Sequence, residues 1–234
     1  MPALYPTFLK LDGLLVVVVG AGPVAASKLD GLVTANARIV VIAPAICDEI
    51  RARSNVSVAD DPPRSIGALD IPRGAIVLVE RAFAPPDLDA ARWVVAAAPP
   101  DVNQQVAAAA TARGLFVNAV DDTSAATAYL GGVIRRGEVE IAISTAGAAP
   151  ALAGLVREAL DALLPADLQR WVEVAKAARL EWKREQIPMA ERRPLLLRKL
   201  VELYERRIDV VDLTGDAHRR PFLLRAIDRL GGLS

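Results

Sequence analysis

The hexapeptide Gly20-Ala21-Gly22-Pro23-Val24-Ala25 directly follows the aliphatic run Leu14–Val19 and opens an alanine-rich stretch. No other feature restricts the fold of the chain as much. A first glycine permits a tight strand-to-helix turn, a second lets backbone approach a phosphate, and a small third residue, Ala25, lets the helix pack on the strand. The helix start then offers free N–H groups and the positive end of its dipole to an anion. The motif therefore reads as a dinucleotide lying across Gly20, Gly22, Pro23, Val24 and Ala25. Its alternative is a glycine-rich turn that binds nothing.

The rest of the first 150 residues fits that start. Short aliphatic runs at Ala37–Ile42, Ala75–Val79, Trp93–Ala97 and Phe116–Val120 join Leu14–Val19 as strands. Their near-continuous apolarity suits strands covered on both faces. Helices are predicted over Pro23–Ala35 and Asp101–Thr111, so the fold class is α/β with a Rossmann-type parallel sheet. The stretch Ala59–Gly74, with prolines, glycines and paired aspartates, reads as a solvated loop. Beyond Asp121 the pattern changes. Ala128–Ile134 and Val139–Ser144 flank Arg135-Arg136-Gly137-Glu138 as a hairpin outside the parallel sheet. From Pro150 onward leucines recur at helical spacing, with Pro165, Pro188 and Pro194 as punctuation, which predicts a helical C-terminal domain. The expected division is 1–122 for the nucleotide domain, 123–150 for a central region and 151–234 for the helical domain.

Composition removes several function classes. One cysteine, Cys47, excludes an intrachain disulfide, and one histidine, His218, excludes a His triad within the chain. No metal site is expected. With 28 basic and 28 acidic residues there is no net field to draw nucleic acid. The apolar run Leu14–Val19 is far shorter than the roughly 20 residues of a membrane span. The N-terminus Met-Pro-Ala-Leu-Tyr-Pro lacks the basic flank and cleavage site of a secretory signal. The expected location is the cytoplasm, away from the membrane, and catalysis must come from carboxylates, backbone dipoles or a cofactor.

An acidic residue for the adenosine ribose is expected about 20 residues after the glycine turn. Val41-Ile42-Ala43-Pro44 stands there instead, leaving the backbone of Pro44 and Ala45 as adenosine contacts. No arginine occupies that strand end to accept a 2′-phosphate, which favours NAD over NADP. Together with Pro2–Leu11, the glycine loop, Phe116-Val117-Asn118-Ala119-Val120-Asp121, Ile141–Pro150 and Leu155-Val156-Arg157-Glu158, this segment resembles the precorrin-2 dehydrogenase family of siroheme synthesis. The resemblance covers roughly the first 165 residues and extends more loosely through Met189-Ala190-Glu191-Arg192-Arg193. It implies a nucleotide domain, a central dimerisation region and a helical domain covering substrate. It further implies a homodimer and NAD-dependent oxidation of a tetrapyrrole, precorrin-2, to sirohydrochlorin. Some members of the family also insert ferrous iron.

The family's Val-Asn-x-x-Asp pattern matches Val117 to Asp121. Asp121 lies just beyond a parallel strand, at the sheet edge where α/β proteins hold ligands, and a carboxylate there can accept the macrocycle's proton. On residue type alone Asp121 could equally cap the turn it begins; the resemblance selects catalysis. Asn118 is expected beside the substrate as a backbone-bonding positioner. Thr145 and Gly147, in Ser144–Pro150, match a family loop on the substrate side, although an ordinary strand-to-helix connection would use the same residues. Arg157 could pair a substrate carboxylate or be solvated. One departure concerns Ala97-Ala98-Pro99-Pro100-Asp101, where family members carry Thr and Asp, so contacts to the nicotinamide ribose would fall to backbone at Ala97. The competing readings are a dehydrogenase that is also a ferrochelatase, and a catalytically silent NAD-binding sensor. The Ala-Pro-Pro segment favours the latter; Asp121 opposes it.

Overall fold

Short, mostly aliphatic runs, β-branched above all in the first three, become five parallel strands that lie largely buried on both faces. They are β1 (Leu15–Val19), β2 (Arg38–Ala43), β3 (Ile76–Glu80), β4 (Trp93–Ala96) and β5 (Val117–Ala119), in the order β3-β2-β1-β4-β5. This computed structural model describes residues 4–54, 66–120, 122 and 124–211, with side chains described to 204. Asp121 and His218 lie outside the described residues.

Side-chain alternation along β1 assigns one helix to each face. Val16 and Val18 pack with Ala25, Ala26 and Leu29 of α1 (Pro23–Thr34). Val17 and Val19 pack with Val106, Ala109 and Ala110 of α3 (Pro100–Thr111) on the other side. The alanines of both helices allow this close approach, and the valines at positions 16 to 18 lose all solvent exposure. Each such burial is worth about 1.5–3 kcal/mol against an exposed side chain. Between β2 and β3 runs a short helix, α2 (Asp48–Arg53), which the sequence pattern did not announce.

The predicted solvated loop needs correcting over its described part. Ile66, in a turn of 3-10 helix, and Ile71 are buried in the α3-side core. Two isoleucines among polar neighbours anchor that segment, because leaving them in water would forfeit their burial energy.

The chain divides into two compact units, residues 1–130 and 131–234. In the second unit β6 (Gly132–Arg136) and β7 (Val139–Ile143) form an antiparallel hairpin apart from the main sheet. Arg136 pairs with Val139, so the turn is only Gly137-Glu138 and the two arginines belong to the strand. Gly137 takes φ +60, the backbone angle that tight two-residue turns demand. Helices α4 (Pro150–Leu163), α5 (Leu168–Arg184) and α6 (Met189–Val211) complete the unit. Pro165 and Pro188 fall between helices as expected, but Pro194 lies inside α6. Its missing N–H sacrifices one bond in the second turn. Packing further along keeps the helix: Leu200 and Tyr204 are buried, and Tyr204 meets Trp171 of α5 edge to face, accepting the Trp171 Nε1 hydrogen bond at 2.6 Å. Among the described residues no helix is long and apolar enough to cross a membrane.

Candidate functional site

The strand order reverses direction at β1, from which the chain proceeds first toward β3 and later to β4 and β5. A crevice opens beyond the carboxyl ends of strands at such a switch. There Gly20 continues the sheet, donating its N–H to Ile42 O at 2.8 Å while Ala97 N–H donates to Val19 O at 2.8 Å. Gly20 adopts φ +103, and a Cβ there would overlap the carbonyl oxygen of Ala97 and approach the Ala98 nitrogen to 2.8 Å. Only glycine lets β1 and the loop after β4 come this close.

Gly22 is different. It caps α1 without any side-chain hydrogen bond, and the space where its Cβ would project is open to 4 Å. The loop is held in place from the segment after β2, since Cys47 N–H, at the start of α2, donates to Ala21 O at 3.1 Å. Pro23 at the first helical position has no N–H, so the amides at this helix start that belong to cavity-lining residues are those of Gly22 and Val24.

Two cavities flank this turn within the first unit. The larger, about 540 Å³, is lined by Gly20, Ala21 and Gly22, by Ala43, Pro44 and Ala45 after β2, by Ala82 and Phe83 after β3, and by Ala97, Ala98, Pro99, Val102 and Gln105. Gln105 is the one polar side chain among these. The smaller, about 260 Å³, is lined by Val24, Ala97, Ala98, Pro100, Asn103, Val120 and Asp122. Thus Gly20, Gly22, Pro44, Ala45, Ala97 and Val24 all face one cavity or the other. Pro23 and Ala25 line neither: Ala25 is fully buried beneath α1, where its small size lets the helix rest on β1.

Sequence reasoning missed two buried polar groups near these cavities: Asn103, which lines the smaller one, and Asp87, in the loop that follows Phe83. Asn103, read only as part of a helix start, accepts from Ala98 N–H at 3.0 Å and donates toward Val120 O at 3.5 Å. It ties the end of β4 to the end of β5. Asp87 is 4 % exposed and receives both arms of Arg81, at 2.8 and 2.6 Å. Asp87 also accepts from Ala84 N–H at 2.9 Å, and Arg81 donates to Ala82 O at 2.9 Å. The Asp87 hydrogen bond raises the Arg81 pKa against the opposing effect of burial.

The remaining predicted residues are placed as follows. Asn118 is buried in β5, and its amide donates to Ala128 O at 3.0 Å. The Asp122 carboxylate accepts from the Ser124 hydroxyl and from the Ser124 and Ala125 N–H groups. Its pKa lies below the usual carboxylate range, chiefly through the Ser124 side chain. Asp122 thus caps the turn that begins after β5. In the second unit Thr145 accepts from Ala149 N–H at 3.3 Å, closing the turn that contains Gly147 at φ +76. Arg157 on α4 forms an exposed ion pair with Glu158 at 3.1 Å, an arrangement worth little by itself. No group of three or more metal-ligating side chains occurs among the described residues.

Known proteins share these features. A protein family described as "Putative NAD(P)-binding" matches residues 7–132, more than half of the chain. A siroheme synthase of Photorhabdus laumondii is 35% identical over 189 residues, 80% of this chain and 37% of that protein. Another, from Thioalkalivibrio sulfidiphilus, is 32% identical over 199 residues, 85% of this chain and 37% of its own length. The chain therefore spans less than two fifths of these relatives. Among solved structures, SirC, a precorrin-2 dehydrogenase, superposes with a TM-score of 0.57 at 20% identity, covering 97% of this chain and all of that one. That likeness is one of fold.

Proposed function

Since the chain belongs to the NAD(P)-binding family matched by residues 7–132, we propose that it is a cytoplasmic NAD-dependent dehydrogenase that oxidises precorrin-2 to sirohydrochlorin. One observation carries the proposal: the 540 Å³ cavity floored by Gly20–Gly22 at the sheet's switch point. The fit to a dinucleotide is physical. Open space at Gly22 admits a pyrophosphate against the backbone, and the amides of Gly22 and Val24 supply donors where the α1 dipole favours negative charge. Ala43, Pro44 and Ala45 would border the adenosine, and Ala97 with Ala98 the nicotinamide side. The siroheme synthase relatives supply the substrate class.

A bound nicotinamide ring supplies the hydride acceptor. The overall change removes one hydride and one proton from precorrin-2, giving sirohydrochlorin, NADH and H⁺. This chain's part is to hold both reactants and to take the proton. We assign the proton to Asp121, the residue that follows Val120 in the sequence; Val120 itself lines the smaller cavity. Asp121 is the carboxylate of the Val-Asn-x-x-Asp pattern, and the neighbouring Asp122 is engaged in its own turn. Asn103 fixes the spacing between Ala98 and Val120. Thr145, Gly147 and Arg157 are proposed to meet the substrate, within a functional division into 1–122, 123–150 and 151–234.

Purified protein mixed with precorrin-2 and NAD⁺ is expected to produce NADH absorbance together with the sirohydrochlorin spectrum. Absence of turnover with both NAD⁺ and NADP⁺ would reject the dehydrogenase and leave the silent sensor. Adding ferrous iron and sirohydrochlorin to the same preparation decides the chelatase: a metal insertion rate equal to the protein-free rate excludes it.

We also propose a homodimer built on the hairpin. Two strands alone are marginal in water, and the described residues leave both outer edges of β6 and β7 without a further strand, with Val133 exposed. Light scattering after size exclusion should give twice the 24.8 kDa chain mass. A monomeric mass at micromolar concentration contradicts the assignment.

A further inference from the structure

The end of β2 offers no carboxylate to grip the adenosine ribose: the strand ends in Ala43 and is followed by Pro44 and Ala45. Something else must recognise that half of the ligand. Adenosine belongs to the β1–β2–β3 half of such a sheet, with the ribose near the end of β2, and the adenine beyond it reaches the end of β3. The chain that leaves β3 there, Ala82-Phe83-Ala84, has no regular secondary structure, yet it contributes Ala82 and Phe83 to the cavity wall. Phe83 is the one aromatic among the lining residues and also packs on the α3-side core.

A segment without ladder hydrogen bonds needs another restraint to hold a ring at a binding surface. Arg81 and Asp87 provide it from the two sides of Phe83. The bidentate pair closes the loop from residue 81 to residue 87, and each partner also clamps backbone inside it, Arg81 at Ala82 O and Asp87 at Ala84 N–H. Asp87, nearly devoid of solvent, has its charge matched by a fork that only arginine presents. Nothing in the sheet requires an ion pair at this place. Its geometric product is the fixed position of Phe83.

We propose that Phe83 is the stacking surface for the adenine ring and that the Arg81–Asp87 pair is a positioning latch holding it there, so adenosine is recognised through its π face instead of its ribose hydroxyls. This rests on the dinucleotide reading above.

The test is NAD⁺ binding by calorimetry to the full chain and four variants, with unliganded melting temperature recorded for each. Phe83→Ala should weaken NAD⁺ about tenfold, the size expected for a base losing an aromatic partner. Phe83→Trp, which keeps a π surface, should remain within about threefold of wild type. Arg81→Lys retains charge but loses the fork, and should weaken binding several-fold. The double variant Arg81→Lys/Phe83→Ala should bind as Phe83→Ala alone does, because the latch acts only through the ring. Equal affinity of Phe83→Ala and wild type overturns the stacking surface, and additive losses in the double variant overturn the latch. If wild type itself binds neither NAD⁺ nor NADP⁺, the dinucleotide reading fails and takes this inference with it. Wild-type binding with an unaffected Phe83→Ala rejects this inference alone.

Discussion

Replacing Gly20 by alanine is expected to destabilise the first unit strongly and to weaken dinucleotide binding severely. The residue holds φ +103, and the added methyl would overlap the Ala97 carbonyl, which is fixed by its own place in the sheet. Strain at such a backbone angle costs on the order of 1–3 kcal/mol, and overlap with rigid backbone adds to it. We expect a loss of about 4 kcal/mol or more, which lowers Tm by roughly 10 °C in a chain of this size. Gly22→Ala is the control. Its Cβ meets nothing within 4 Å, so stability should change by no more than roughly 1 kcal/mol, while NAD⁺ affinity falls at least about tenfold. Thermal melts and calorimetry on both variants separate the roles. A Gly20→Ala protein melting with wild type would contradict the close approach of β1 to β4.

The second large effect belongs to Asp121. Asp121→Asn should reduce kcat for precorrin-2 oxidation by about 10²- to 10⁴-fold, the usual range for losing a positioned general base, with NAD⁺ affinity unchanged. Asparagine is nearly isosteric and cannot hold the transferred proton. Single-turnover formation of NADH, measured beside NAD⁺ titration, distinguishes a chemical defect from a binding defect. A variant whose kcat stays within about threefold would transfer the proton to another acceptor.

Most of the first unit could be read directly from the order of residues. Strand positions follow from unbroken aliphatic runs, and the glycine turn is legible because the strand before it and the helix after it are both visible locally. What escaped depends on partners distant in space. Asn103 looks like an ordinary residue of a helix start until Ala98 and Val120, from two other segments, are brought to either end of its amide. Arg81 and Asp87 stand in an irregular loop with no periodicity to mark them. The one local hint was an acidic residue three positions after Ala84, past two prolines, where side chains commonly cap a turn. Pro194 and Ile66 show the converse: residue preference pointed to a break and to a solvated loop, and burial elsewhere on the same segments outweighed it.

The two prolines that begin α3 impose an asymmetry on the crevice. Pro99 caps that helix and Pro100 is its first residue, so neither position has a hydrogen to donate. Across the gap, α1 lacks only the donor at Pro23. Negative charge entering between the two helices is therefore drawn to the α1 side, and a cationic pyridinium ring meets less of a positive helix end opposite. A ligand with a phosphate-rich middle and one cationic end would be sorted end for end by this imbalance, before any side chain closes on it.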